Sequence, residues 1–231
     1  MGIMNFKLKS LHSEESMTVK YDELFIIGYA GRNIEKTMEH IKELEEQLGV
    51  PAPKKIPTIF ECSHELLTQE NDIKFVGHKT SGEVEYVIVI SNGKTYIGLG
   101  SDHTDRELES NSVPKAKQVC PKPICTELWD YDELKDHWDG IKLISYQTVD
   151  GQEVIYQDGS LKDILPVEKI ISELKERVGD LQNVIIYSGT VPVLNGFKYG
   201  NNFRCKMVDG VLDRTLTLDY NINIIDDVEE R

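Results

Sequence analysis

Apolar residues along the chain fall into two rhythms. Residues 85–100, EYVIVISNGKTYIGLG, are two runs rich in β-branched and aromatic residues, split by Asn92-Gly93. That pair supplies the positive φ angles of a type I′ turn, so a β-hairpin is predicted. A second hairpin is predicted over residues 203–220, turning at Asp209-Gly210, and the run NVIIYSG at 183–189 reads as a buried strand entering a loop. Helical spacing occurs twice. Ile34, Met38, Ile41, Leu44 and Leu48 form one stripe, with Asn33 as N-cap, Gly49 as the stop, and Glu35, Lys36, Glu43 and Glu46 on the outer face. Val167, Ile170, Ile171, Leu174 and Val178 form the other, opened by Pro166 and closed by Gly179. The intervening PAPKKIP at 51–57 forces a loop. Much strand and two strong helices predict an α+β fold with mainly antiparallel sheet. Trp129 and Trp138 are expected to anchor a long loop over the core at 126–140; such a loop can also cover a pocket. The acidic end DDVEER is expected to fray.

The chain has 231 residues, enough for one domain with a substantial extra segment. We divide it into an N-terminal strand-helix segment, 1–70, packing on a core of 71–231, the two forming one structural unit. With 26 Lys plus Arg against 40 Asp plus Glu, the net charge is −14, which argues against a nucleic-acid footprint. No stretch approaches the roughly 20 apolar residues that span a bilayer, and the first residues lack a signal-peptide pattern. A cytoplasmic protein with no membrane partner is expected. Cys62, Cys120, Cys125 and Cys205 include no CxxC pair, and the CPKPIC spacing suits no common zinc site, so all four read as reduced, buried thiols.

The first hairpin carries the candidate chemistry. With Asn92 and Gly93 as its two-residue loop, residues equidistant from the turn face each other: 91 with 94, 85 with 100, and 83 with 102. Opposed residues share a face with Cβ atoms about 5 Å apart, and residues two apart on a strand share it too. If the pairing runs to the ends of both strands, Glu83, Glu85 and Asp102 converge. Such repulsion is relieved either by full exposure to water or by a bound cation. Gly98 and Gly100 on the same face leave room for a ligand or a close backbone, and three carboxylates suit Mg²⁺ or Mn²⁺ better than zinc. His103 should point to the opposite face.

GEVE at 82–85, the hairpin, and SDHTDRELE at 101–109 together resemble the fumarylacetoacetate hydrolase superfamily, closest to an uncharacterised bacterial branch with SGEVE and GSDHTDR motifs. The resemblance implies a mainly β fold, a mixed β-roll or sandwich with a few flanking helices, and a homodimer. It implies Glu83, Glu85 and Asp102 as ligands of Mg²⁺ or Mn²⁺. KAKQVCPKPI resembles the family's lysine loop, placing Lys117, or less surely Lys115, near substrate. Gly189 and Thr190 correspond to a carboxylate-binding loop, Arg106 to the arginine of the metal segment, and Tyr29 and Arg32 to an early loop. Two features depart from the family: His40 lies well into the helix, so no His–Glu dyad follows the early loop, and Glu109 stands where the family has glutamine.

The implied function is a divalent-metal-dependent enzyme acting on a small anionic carboxylate: a 2-oxo acid, β-dicarbonyl or enol-type acid. It would proceed through a stabilised enolate, by C–C hydrolysis, decarboxylation or isomerisation. Lys117, His103 and Glu109 are the candidate proton-transfer groups, and Arg106, Gly189, Thr190, Tyr29 and Arg32 the candidate substrate contacts. The competing readings are a non-catalytic metal- or ligand-binding member of the same fold, and a structural protein that holds no metal.

Overall fold

The structure is a computed structural model that describes residues 1–228; the side chains of His40, Leu44, Gln47 and Leu48 lie outside the description, as do residues 229–231 at the end of the acidic tail. Its centre is the predicted hairpin. Asn92 and Gly93 take φ of 52° and 74°, as a type I′ turn requires. The strands Val84–Ser91 and Lys94–Ser101 then pair in the anticipated register, Ser91 opposite Lys94 and Glu85 opposite Gly100. All eight residues of Val84–Ser91 are buried, which explains a continuous apolar run where a half-exposed strand would alternate.

This hairpin lies in an eight-stranded sheet. Its order is Glu14–Tyr21, Gly2–Lys9, Glu127–Asp130, Lys94–Ser101, Val84–Ser91, Val184–Tyr187, Glu23–Gly28, Thr58–Cys62. Residues 1–70 thus contribute four of its strands. Val184–Tyr187 runs antiparallel to Val84–Ser91 and parallel to Glu23–Gly28, so the sheet is mixed. A second, five-stranded sheet is ordered Gln152–Ser160, Lys142–Val149, Asn202–Asp209, Arg214–Ile225, Asp72–Val76. One core lies between the sheets: Tyr86, Ile88, Ile97 and Leu99 meet Tyr156, Phe203, Met207 and Tyr220, closed by Ile170 and Leu174 of the helix Val167–Val178. A second core fills the other face of the eight-stranded sheet, where Val87, Val89 and Tyr187 meet Phe6, Val19, Ile26, Phe60 and Leu128. The α+β, mainly β architecture anticipated from the sequence is present. Among the described residues no helix is long and apolar enough to cross a membrane.

Three local expectations change. The helix Ile34–Leu48 is capped as predicted, the Asn33 side chain accepting from Lys36 N–H at 3.1 Å, yet Ile34 and Met38 are 56% and 51% exposed. Among its described side chains only Thr37 and Ile41 are buried, so the helix docks along a narrower seam than its stripe spans. Residues 127–140 are not a loop. Glu127–Asp130 is a strand between Gly2–Lys9 and Lys94–Ser101, followed by short 3-10 turns; Trp129 and Trp138 are buried as expected. Finally, Asp209 pairs with Arg214, so the second hairpin turns through residues 210–213. The Asp209 carboxylate accepts from Val211 and Leu212 N–H across that wider turn. All four cysteines are free and buried.

Candidate metal centre

The pairing of the central hairpin persists past its last strand residues: Asp102 N–H donates to the Glu83 carbonyl at 3.0 Å. Glu83, Glu85 and Asp102 therefore meet at the end of the second core, on the face of Val87 and Tyr187, each offering a carboxylate oxygen within 4.8 Å of the others. Glu85 and Asp102 are buried and Glu83 is half-buried. Burial drives the Glu85 carboxyl well above the ordinary carboxylate range, and the charge of Asp102 pushes the same way. Burial also raises Glu83, with Arg106 opposing. For Asp102 burial is outweighed by Lys117 and Lys122, which bring it down to about 2. Three acids are thus crowded where water cannot screen them, and hard oxygen donors in this number fit Mg²⁺ or Mn²⁺.

The surrounding groups fix each acid. Gly189 donates its N–H to Glu85 Oε2 at 2.8 Å. Its φ is 91°, and a Cβ there would come within 2.7 Å of the Ala30 Cβ, so only glycine lets the two loops close on Glu85. Arg106 is 4% exposed and reaches Glu83 at 3.3 Å and Glu109 at 3.2 Å. Its Nε donates to Ser81 Oγ at 2.7 Å, and Phe197 covers one face of the guanidinium. The Lys117 ammonium donates to Asp102 Oδ2. On the other oxygen lies Lys122, wholly buried, 3.3 Å from Asp102 Oδ1 and donating to the carbonyls of His103 and Lys117 at 2.5 and 2.6 Å.

Residues 27–220 match a protein family described as of unknown function, DUF2848. The chain belongs to the DUF2848 family. No curated protein matches the sequence. Among solved structures, the apo form of 2-keto-3-deoxy-D-arabinonate dehydratase superposes with a TM-score of 0.64 at 16% identity, over 93% of this chain and 78% of that one. The dehydratase is also solved in complex with magnesium and 2,5-dioxopentanoate. A yeast fumarylacetoacetate hydrolase family protein superposes with a TM-score of 0.62 at 17% identity, over 88% and 94%. A putative fumarylacetoacetate hydrolase family protein from Yersinia pestis gives 0.60 at 17% identity, over 90% and 94%. This DUF2848 protein has the fumarylacetoacetate hydrolase fold.

Of the candidates from the sequence, the structure gathers Glu83, Glu85, Asp102, Arg106, Glu109, Lys117 and Gly189. Thr190 stands just behind, its hydroxyl donating to the Val84 carbonyl and accepting from Gln157, both at 2.7 Å. Tyr29 faces the same group: burial raises its phenol, with Glu109 adding and Lys117 opposing. Lys115 is exposed. Three expectations need correcting. His103 shares the face of Ser101: its Nδ1 meets the Tyr220 hydroxyl at 2.9 Å and its ring stacks on Phe75 at 3.7 Å. That leaves it inside the core, where burial holds the imidazole neutral, and not among the acids. Arg32 is bound by the carbonyls of Leu161 and Ile164 and by Asp139, lining a separate surface hollow with Trp138 and Glu168. Gly98 and Gly100 leave no vacancy for a ligand: a Cβ on Gly100 would lie 2.5 Å from Tyr187 Cε1, and one on Gly98 2.9 Å from Leu128 Cδ2. Their missing side chains let the second core close. Lys122 was missed. Its only signal is a charged residue between two prolines in an otherwise apolar run.

Proposed function

We propose that the protein is a divalent-metal-dependent enzyme acting on a small 2-oxo acid, β-dicarbonyl or enol-type carboxylate. The observation that carries this reading is the convergence of three carboxylate oxygens within 4.8 Å at the end of a buried hairpin, two of the acids with raised affinity for protons. The shared fold of a dehydratase solved with magnesium and 2,5-dioxopentanoate supports it. Glu83, Glu85 and Asp102 would hold the ion. When bound, the ion would supply Lewis-acid charge for an enolate, an effect worth several kcal/mol. Gly189 N–H orients Glu85. Lys117 Nζ and the Tyr29 hydroxyl are the groups placed to hold or move a proton beside the acids. Among the described residues no histidine joins the acids to activate water, which favours decarboxylation or tautomerisation over hydrolysis.

Titration calorimetry after dialysis against a chelator tests the reading. One Mg²⁺ or Mn²⁺ should bind per chain and none to Glu83→Ala, and the loaded protein should turn over members of a panel of acylpyruvates and oxaloacetate. Absence of any stoichiometric ion overturns the proposal. The missing histidine also favours a second reading, a binding module without catalysis, which predicts a bound ion and no turnover of the panel.

A further inference from the structure

We propose that Glu109 sets the charge of the ligand, so that the metal-loaded site takes a monocarboxylate and rejects a dicarboxylate; this rests on reading the three acids as a metal centre. Arg106 is the one guanidinium in the group, and a carboxylate is recognised by two parallel N–H donors of such a fork. Four of its five N–H donors are already engaged, and the fifth, on Nη1, cannot form a fork alone. Nη1 is held by Glu109 at 3.2 Å, Nη2 by Glu83 at 3.3 Å and by the Ser81 carbonyl at 3.2 Å, and Nε by Ser81 Oγ at 2.7 Å. Phe197 closes one face at 4.6 Å. Arg106 thus braces Glu83 and presents no open fork to a ligand.

The charge balance points the same way. Lys122 is wholly buried with three oxygens around its ammonium, so it cannot reach a ligand. Once an ion has ionised its ligands, Glu83, Glu85, Asp102 and Glu109 face Arg106, Lys117 and Lys122, leaving one negative charge. A divalent cation converts that to one positive charge, which a single carboxylate neutralises. A second carboxylate would be desolvated beside Glu83 and Glu109, the two acids of the group that keep 17% exposure each, where Arg106, Lys117 and Lys122 are already paired. Glutamine at position 109 would remove one of those charges and free one arm of Arg106.

The test is calorimetric, with two five-carbon ligands that differ only in a terminal methyl or carboxylate: 2-oxopentanoate and 2-oxoglutarate, each titrated into the Mg²⁺-loaded full-length protein. We expect 2-oxopentanoate to bind on the order of tenfold tighter. Glu109→Gln should raise 2-oxoglutarate affinity by a similar factor while Mg²⁺ affinity changes little, and Glu109→Asp should keep the wild-type preference. Equal or tighter wild-type binding of 2-oxoglutarate overturns the inference, as does a Glu109→Gln variant that shifts both acids alike. The wild-type ratio decides by itself if the variant does not fold. Mg²⁺ binding without binding of either acid overturns the inference but leaves the metal centre standing, whereas failure of Mg²⁺ itself to bind removes the reading beneath it.

Discussion

Two buried aspartates, Asp102 and Asp209, each sit between two nitrogen-bearing side chains, and they do different work. Asp209 accepts from His137 Nε2 at 3.0 Å and Arg214 Nε at 3.2 Å, and from the N–H groups of Val211 and Leu212 in its own turn. Arg214 goes on to Glu133 at 2.7 Å, and Glu133 accepts from the Leu11 N–H at 2.8 Å. Every carboxylate oxygen there has a hydrogen-bond partner, so the cluster rivets the five-stranded sheet to the 130s segment and the N-terminal hairpin. Asp102 has two cations, Lys117 and Lys122, yet two further carboxylates crowd it. A cluster whose carboxylates stand apart, each satisfied by donors, holds a fold together; one whose carboxylates crowd each other has capacity left for an ion.

The strongest break in this comparison comes from removing each aspartate. Asp209→Ala should cost about 1–3 kcal/mol in chemical denaturation, because the N–H groups of Val211 and Leu212 lose their buried acceptor and half-buried Arg214 keeps only Glu133, while Mg²⁺ affinity in calorimetry stays within about twofold. Asp102→Ala should weaken Mg²⁺ by at least about a hundredfold. If Asp209→Ala weakened Mg²⁺ as much, the two clusters would be one coupled network. Next in size is Glu85→Gln, which keeps an acceptor for Gly189 N–H but removes a crowded charge. The metal-free variant should be more stable than the parent by about 1 kcal/mol, and its Mg²⁺ affinity lower; a loss of stability would show that Glu85 is not under repulsion.

A smaller effect is expected with pH. Because the Glu85 carboxyl lies well above its ordinary 4.5 in the folded chain, the native state binds its proton more tightly than the unfolded state. Its contribution is therefore complete below about pH 4.5 and is lost as pH rises through the raised value. Asp102 acts oppositely: its contribution is present above 3.8 and is lost only as pH falls towards about 2. Between about pH 5.5 and 7.5 the raised Glu85 and Glu83 favour the lower pH, whereas His103, held neutral in the core, favours the higher. The Glu85 part is therefore read against Glu85→Gln: on going from about pH 7.5 to 5.5 the metal-free parent should gain melting temperature relative to that variant, a difference that saturating Mg²⁺ should remove. Smallest of all, Lys79→Ala, which breaks the exposed pair with Glu107, should leave the melting temperature essentially unchanged.

The site was legible where a short-range rule controls geometry. Asn92-Gly93 dictates the turn, the turn dictates the register, and the register carries Glu83 and Asp102 to the same place without knowledge of any other strand. The two-helix, mainly β pattern was legible for the same reason, through local period and caps. What was not legible depends on contacts distant in the chain. Nothing local shows that Lys122 is wholly buried, that Tyr187 fills the space over Gly100, or that Arg32 pairs with Asp139. The strand Glu127–Asp130 escaped because it is only four residues long and lies between partners far away in sequence.

The ammonium of Lys122 touches oxygens from residues 102, 103 and 117, which lie on either side of the excursion bearing Arg106 and Glu109. That excursion is consequently pinned at its base. Insertions or exchanges among residues 107–112 would reshape what the molecule selects without displacing the end of the hairpin, so over generations ligand preference can drift while the acids stay where the turn put them.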